Sequence, residues 1–310
     1  MPNAALRLLT SLFVILVLLL ANDSARAQTD FTTMGTRAGD GEVTSTGQLR
    51  YTIPLWTPPG VRGIEPRLAL LYGSEVRSGL LGMGWTLGGL SKIARCSRTV
   101  AQHAVAQPVS LTMTDAFCMD GQTLRITSGT YGQSGSQYQT EFADFSLVTA
   151  NGSLGNGPAW FEVKTRNGLI YEYGNTADSR ALLPSTNTPY VWALNKIRDR
   201  DGNNLKVTYA TTSGTLRPTL IQYTQTSLDA SYPYAVVFNY SARTGPDVES
   251  GYVAGNNFTQ SQQLDSIEVR HGGPQGTLVR IHRLFYSFSF SVRRSLFNGI
   301  QECAGSNGLD

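Results

Sequence analysis

Gly47-Gln48-Leu49-Arg50-Tyr51-Thr52-Ile53-Pro54-Leu55 alternates apolar and polar residues along its length. Leu49, Tyr51, Ile53 and Leu55 point one way, and Arg50, Thr52 and Pro54 the other, which is the two-residue period of a strand with one covered face. Pro58-Pro59-Gly60 then enforces a turn, and Arg67 to Tyr72 repeats the alternation with Leu68, Leu70 and Tyr72, so the second strand returns antiparallel. Ile53-Pro54 is expected to end its strand at a sheet edge, where a missing N–H does least harm. Gly79, Gly82 and Gly84 are expected to let the backbone pass close under Trp85, whose large ring needs a cover.

The period of two continues downstream. Further strand candidates are 161–165, 169–173, 191–197, 205–209, 216–223, 235–240, 264–270 and 278–292. Turn chemistry separates them: Asn151-Gly152, Asn167-Gly168, Asp201-Gly202-Asn203 and Gly272-Gly273-Pro274. Glycine and asparagine supply the positive φ of tight hairpins. No amphipathic helix stands out beyond the N-terminal segment. The expected fold class is all-β, mostly antiparallel twisted sheets, either sandwich-like or a segment of a curved shell. Strand–turn–strand units ending in Tyr209 and Tyr286, with a shorter echo at 167–173, suggest hairpins added laterally to one sheet. Residues 129–136 (GTYGQSGS) read as a flexible surface loop and 245–257 as a second long loop.

The first 27 residues read as a processing segment. Arg7 precedes an unbroken apolar run from Leu12 to Ala21, and Ala25-Arg26-Ala27 is the small-x-small pattern that places cleavage between Ala27 and Gln28. A helix of that run is only about 15 Å long, roughly half a hydrocarbon core, and no later segment is apolar for long enough to span a bilayer. The expected organisation is therefore 1–27 signal peptide, 28–130 Gly-rich opening segment and 131–310 strand–turn–strand remainder. Export would put the cysteines in oxidising surroundings.

Composition narrows the function classes. With 25 Lys+Arg against 22 Asp+Glu, 14 tyrosines and 15% charged residues, the chain is neither a disordered tail nor a basic nucleic-acid binder. Three cysteines cannot build an all-cysteine metal site. Cys96 and Cys118 are expected to form a disulfide worth about 3 kcal/mol by chain entropy. Cys303 is then odd, and its mate is expected in sequence beyond this chain or in another chain. His103, His271 and His282 lie far apart, and no Gly-x-Ser-x-Gly or Ser-x-x-Lys signature occurs. Residues 199–203 (DRDGN) resemble a calcium loop only superficially, since Gly is fourth and Ala210 stands where a twelfth-position Glu is needed, so a self-satisfied turn is expected. Glu162 with Glu172, or Asp144 with Glu141, are possible carboxylate pairs that spacing does not single out. No cofactor is implied.

The opening block is far more specific than these fragments. Residues 47–55, Pro58-Pro59-Gly60, Gly63-Ile64-Glu65-Pro66, Leu68 to Ser74 and Gly79 to Trp85 resemble the N-terminal domain of the SpvB-type (Salmonella virulence plasmid B) family, as do residues 117–124 and 199–209 further on. The block's Pro54, Pro58, Pro59, Gly60, Pro66, Tyr72, Gly82, Gly84 and Trp85 are expected to be structural. The resemblance covers about 35–303, nearly all the mature chain. That domain also opens the B components of insecticidal toxin complexes and many Rhs/YD-repeat proteins, where it precedes a propeller or repeat region around a toxic cargo. The resemblance implies an exported, non-enzymatic shell or scaffold domain, partnered by other β-shell or Rhs-repeat segments, in a chain that stops before propeller, repeats or cargo. Enzymatic activity in the family belongs to separate domains with a Glu-x-Glu motif, which this sequence lacks. A second reading is a carbohydrate or cell-surface glycan binding module, suggested by Trp160, Trp192, Tyr171 and Tyr173 on strands.

Overall fold

The computed structural model describes residues 39–304 except 143, 227–230 and 244. The processing segment 1–27, with its boundary at Ala27 and Gln28, lies outside the described residues.

The opening block forms a four-stranded antiparallel sheet in chain order: β1 (Asp40–Val43), β2 (Leu49–Pro54), β3 (Ala69–Gly73) and β4 (Trp85–Gly88). Ile53 stands opposite Leu70, and Leu70 opposite Leu87, so the alternation of the sequence becomes one apolar face. Burial along that face is graded: Leu55 is 6% exposed and Leu49 47%, because the sheet overhangs its partner layer. Pro54 corrects the edge expectation. β2 is an inner strand, and Pro54 is tolerated because β1 reaches only as far as Thr52, leaving no partner for the missing N–H.

The next strands close on themselves. In chain order they are β5 (Lys92–Cys96), β6 (Ala116–Met119), β7 (Gln122–Ser128), β8 (Gln137–Thr140), β9 (Leu147–Asn151), β10 (Trp160–Lys164), β11 (Ile170–Tyr173), the short β12 (Arg180–Leu182) and β13 (Pro189–Arg198). Each from β5 to β10 pairs antiparallel with its successor, and β13 pairs with both β11 and β5, closing an eight-stranded barrel with β12 attached only to β13. A barrel of this size has room only for side chains. Trp192, Phe117, Phe161 and Tyr138 fill it, fully buried and in mutual edge-to-face contact at ring distances of 5.1 to 6.4 Å. Residues 129–136 are not the loose loop their composition suggests. The Tyr131 ring stacks on Phe117 at 5.3 Å, and its hydroxyl accepts from the Phe117 N–H at 2.8 Å. Ser136 and the Gly132 N–H are bonded to the Tyr138 hydroxyl. The subdivision expected near residue 130 therefore falls inside a hairpin of one sheet.

β13 is shared. Val191–Ala193 pair with β5, whereas Lys196–Arg198 pair with β14 (Asn204–Thr212), which starts an open antiparallel arm. The arm continues through β15 (Thr215–Gln225), β16 (Tyr234–Ala242), β19 (Gln262–His271), β20 (Thr277–Ser289) and β21 (Arg294–Ala304). Between β16 and β19 lies a separate hairpin of β17 (Glu249–Val253) and β18 (Asn256–Gln260), entered by a single 3-10 turn at Gly245–Asp247. This corrects the long loop expected over 245–257. Val292 likewise sits in the turn after β20 and not in the strand. The register slips by a residue between β14 and β15, β16 and β19, β19 and β20, and β20 and β21, and such bulges bend and twist a sheet. The four-stranded sheet packs on this arm: Leu55, Ile64, Leu70 and Leu81 join Val207, Ile221, Val236, Ile267 and Leu284 in one buried cluster.

Candidate assembly surface

The turns of the opening block act by close approach. Tyr223 donates from its hydroxyl to the Pro58 carbonyl at 3.0 Å, Gly60 N–H donates to the Glu65 carboxylate at 2.8 Å, and the Thr57 hydroxyl donates to the Pro66 carbonyl at 2.9 Å. Pro58, Pro59, Gly60 and Pro66 thus shape the β2–β3 connection against the arm. A Cβ at Gly60 would fall 2.0 Å from the Ile64 carbonyl oxygen, which only glycine avoids.

The close approaches of the glycine loop are to β21 and to Tyr72. Gly82 has φ +81°, and a Cβ there would lie 2.5 Å from the Ser295 carbonyl oxygen on β21. The neighbouring Met83 N–H donates to that same carbonyl at 3.0 Å. Gly84 is pressed against the Tyr72 ring. Trp85 then packs between Tyr72 at 5.4 Å and Phe297 at 4.8 Å, with Tyr51 edge-on at 6.4 Å. The loop is a pin joining the first sheet to the last strand. Behind it, Arg243 donates to the Ser78 hydroxyl at 3.2 Å and to the Gly79 carbonyl, while Asp247 accepts from both the backbone and the hydroxyl of Ser295 at 2.7 Å. A cleft of about 750 Å³ opens beside this pin, walled by Tyr72, Arg77, Trp85, Glu249, Arg294 and Phe297. Burial raises the Glu249 carboxyl above its ordinary range, against the opposing pull of Arg243, Arg294 and Arg77.

Past the pin, β21 offers an open edge. β20 covers one side of it, and among the described residues no strand pairs with the other. The remaining outer strands are short. β1 has four residues, two of them acidic, and β4 has four. β21 runs for eleven residues (RSLFNGIQECA) without lysine or proline, and after its bulge at Asn298 the run Gly299–Ala304 is uninterrupted. Edges are normally blunted by shortness, proline, charge or a bulge; this one is long and lacks proline and lysine, and beyond its bulge at Asn298 it carries a single charge, Glu302.

The chemistry-bearing residues named from sequence are otherwise committed to structure. Glu162 and Glu172 stand directly opposite one another on β10 and β11, and Arg198 bridges them at 3.4 and 3.3 Å, with Lys164 at 3.0 Å from Glu162. Asp144 and Glu141 bind different partners: Asp144 accepts from Ser146 N–H at 2.9 Å, and Glu141 accepts from the Gln102 amide. His103 ends a single helical turn, His271 ends β19 against the Tyr234 ring at 5.3 Å, and His282 is buried in β20 near Glu302. Asp199 accepts from the N–H groups of Asp201 and Asn203 at 2.9 and 3.0 Å, a turn closed on its own backbone. Among the described residues no three His, Cys, Asp or Glu side chains gather as metal ligands. Of the aromatics proposed to stack on sugars, Trp192 and Tyr173 are buried in the barrel core and cannot reach a ligand, whereas Trp160 and Tyr171 are half-buried.

Cys96 and Cys118 are joined, linking β5 to β6 on the diagonal, since Cys96 stands opposite Ala116 and Cys118 opposite Ala94. Cys303 is a buried free thiol on β21, opposite Ile281, where it fills space as a small apolar residue and is not presented for pairing. Arg95 was missed entirely by sequence reading. Its side chain is fully buried, salt-bridged to Asp115 at 3.0 Å, and donates to the carbonyls of Pro189, Thr112 and Asn156 at 2.9, 2.6 and 2.6 Å. Its guanidinium also lies over Phe117 and Trp192. Burial pulls its pKa down, and Asp115 opposes that. An arginine set among Ile93, Ala94 and Cys96 was the available signal.

The family model of the Salmonella virulence plasmid 65kDa B protein, SpvB, matches residues 43–248. The fold is similar to the N-terminal domain of effector protein SpvB from Salmonella typhimurium strain LT2, at 19% identity and a TM-score of 0.66, over 82% of this chain and 98% of that one. It is also similar to part of the TcdB2-TccC3 crystal structure (16% identity, TM-score 0.67, 86% of this chain) and of a Photorhabdus luminescens Tc holotoxin pore (16%, 0.67, 86%). The chain spans only 17% and 15% of those two toxin chains. A comparison with curated protein sequences gives no match. At these identities the structures show a shared fold, and the family match over residues 43–248 places the chain in the SpvB family.

Proposed function

We propose that the protein is an exported, non-catalytic wall segment of a toxin-type β-shell, holding its place by strand pairing with further shell or Rhs-repeat segments. The observation that carries this reading is the unblunted β21 edge at the end of a bulged, curving arm, beside a barrel whose own edges are closed. The SpvB family membership and the likeness to parts of much longer toxin chains support it. In this reading the aromatic and glycine residues of the opening block fix the angle between sheets, the interior carries no cofactor, and any cargo belongs to other polypeptide.

The test has two arms. The chain is co-expressed with an Rhs-repeat polypeptide from the same genome and is expected to co-purify with it. Lysines introduced on the edge (Asn298→Lys with Gln301→Lys) are expected to abolish co-purification while the isolated chain stays folded. Co-purification indifferent to those lysines would refute the edge as the joining surface. Turnover of NAD, of an ADP-ribose acceptor or of a glycoside by the purified protein would refute the non-catalytic part.

A further inference from the structure

The hairpin that joins β20 to β21 leaves the sheet. β19 accompanies β20 only as far as Arg283, opposite Ser266, so from Leu284 onward β21 is the only ladder partner of β20 among the described residues. The projecting end reads Ser287-Phe288-Ser289-Phe290-Ser291-Val292-Arg293-Arg294. Phe290 is 88% exposed, and Phe288 and Val292 beside it are exposed as well, with the two rings edge-on at 5.3 Å. Water-exposed aromatic side chains at the end of a ribbon are costly unless something apolar receives them.

The charges around the tip indicate what that is. No acidic residue occurs between Glu268 and Glu302, while Arg280, Arg283, Arg293 and Arg294 all lie in that interval. Arg280 is neutralised by Glu302, and Arg294 donates to the Pro246 carbonyl. Arg293 is exposed on the turn itself, with φ 55°. Small uncharged serines alternate with the apolar residues of the tip, and the nearest acids, Asp247 and Glu249, lie at the base of the hairpin beside Ser295 and Arg294. Rings that enter the acyl boundary, with arginine at headgroup level, are the elements of an interfacial anchor.

We infer that the Phe288–Val292 tip is a shallow membrane-docking wedge for anionic lipid surfaces. It stands on the chemistry of the tip alone, and it would survive failure of the shell reading, as the shell reading would survive its failure. Binding of this kind involves a single hairpin, so it is weak, reversible and salt-sensitive.

The experiment uses the full chain carrying Val292→Cys labelled with an environment-sensitive fluorophore, with a Gln139→Cys label on the barrel as a distant control. Vesicles of phosphatidylcholine with phosphatidylglycerol are compared with vesicles of phosphatidylcholine alone. The label at 292 is expected to shift to the blue with anionic vesicles only, the label at 139 to stay unchanged, and the response to fade at high salt. Phe290→Ser is expected to weaken the response about tenfold and Arg293→Gln about fivefold, the latter the worth of one basic residue near a charged surface. Because the reporter is at the tip, binding by any other apolar stretch of the chain does not imitate the result. No shift at 292, an equal shift with neutral vesicles, or insensitivity to Phe290→Ser would each overturn the inference. So would a change of oligomeric state in Phe290→Ser, seen by light scattering, with no vesicle response in the parent, which would identify the tip as a protein interface.

Discussion

Gly82 and Gly63 form a matched pair for testing whether the glycine loop works by close approach. Both have left-handed backbone, φ +81° and +76°. Alanine at either costs about 1–2 kcal/mol in backbone strain, partly offset by about 0.4–1 kcal/mol from a stiffer unfolded chain. At Gly63 nothing lies within 4 Å of the new Cβ, so Gly63→Ala is expected to destabilise by about 1 kcal/mol. At Gly82 the Cβ would stand 2.5 Å from the Ser295 oxygen, and backbone must move. That movement breaks the Met83–Ser295 hydrogen bond, worth about 1 kcal/mol, and loosens Trp85 against Phe297, an overpacking cost of about 1–3 kcal/mol. The expected difference between the variants is therefore about 2–4 kcal/mol. With a urea slope of ~2 kcal/mol/M, the midpoint of Gly82→Ala should lie about 1–2 M below that of Gly63→Ala. Exchange of the Met83 amide should quicken in Gly82→Ala alone. Coincident midpoints for the two variants would show that the loop does not pin β21 and that glycine is there for its dihedral angle only.

Three further outcomes are expected. Peptide mapping without reduction should recover Cys96 linked to Cys118, and Cys96→Ser with Cys118→Ser should lower stability by about 3 kcal/mol; both thiols alkylating without reductant would contradict the link. Arg95→Met strips Asp115 of its buried cation and leaves three carbonyls short of a donor, so a loss of about 3–5 kcal/mol is expected, whereas Arg198→Met, on the half-exposed bridge between Glu162 and Glu172, should cost no more than about 1 kcal/mol; similar denaturation midpoints for the two would negate the clasp. Glu249 has its carboxyl raised in the folded state, so ionisation there opposes folding: the neutral mimic Glu249→Gln should be more stable than the parent at neutral pH, and the gain should vanish as pH falls below the ordinary carboxylate range, which thermal unfolding across pH 4 to 8 would check. A gain that grew toward acid pH would reverse the assignment.

How much of this was legible depended on strand length and on whether a residue's role is local. The arm is written plainly except for its last strand: β21 (Arg294–Ala304) is not among the strand candidates, because its run RSLFNGIQECA carries no clean two-residue alternation. β13 to β16, β19 and β20 are nine to thirteen residues long, alternate cleanly, and are separated by Gly/Asn turns, so each was found within a few residues. The barrel strands β5 to β9 are four to seven residues long and polar on the outside, and in so short a span two-residue alternation is hard to distinguish from chance. Barrel closure was out of reach, since it rests on β11 meeting β13 across an intervening excursion. Residues 129–136 were misjudged because composition registers glycine and serine as freedom, whereas Tyr131 anchors the segment on Phe117, and 245–257 because two five-residue strands carry too little alternation to register, with Asp247 held by the distant Ser295. Gly82 was expected to make room under Trp85, but the backbone it approaches is Ser295, more than two hundred residues away, and no local pattern could name that partner.

The two halves of the large sheet deal with strand edges in opposite ways, and β13 is where they meet. Val191–Ala193 complete the closed side and Lys196–Arg198 begin the open side, so one continuous ten-residue strand transmits the orientation of a rigid, aromatic-filled barrel to the arm. Along the arm a residue is gained or lost at four of the five successive pairings after β13–β14, and each such slip adds bend and twist. A flat sheet grows by adding strands in a plane, but a repeatedly bulged one curves as it grows. The first sheet, pinned by Met83 on Ser295 and by Trp85 on Phe297, braces that curve from one side and stops short of Asn298. What it leaves unbraced is the Gly299–Ala304 edge, whose next neighbour would inherit a direction already set by the barrel, the bulges and the pin. In the proposed shell role, specificity resides in where edges are left open, so substitutions at exposed positions of the Gly299–Ala304 edge such as Gln301 should alter assembly before they alter folding, and substitutions at Gly82, or at Ser295 and Phe297 on the pinned part of β21, the reverse.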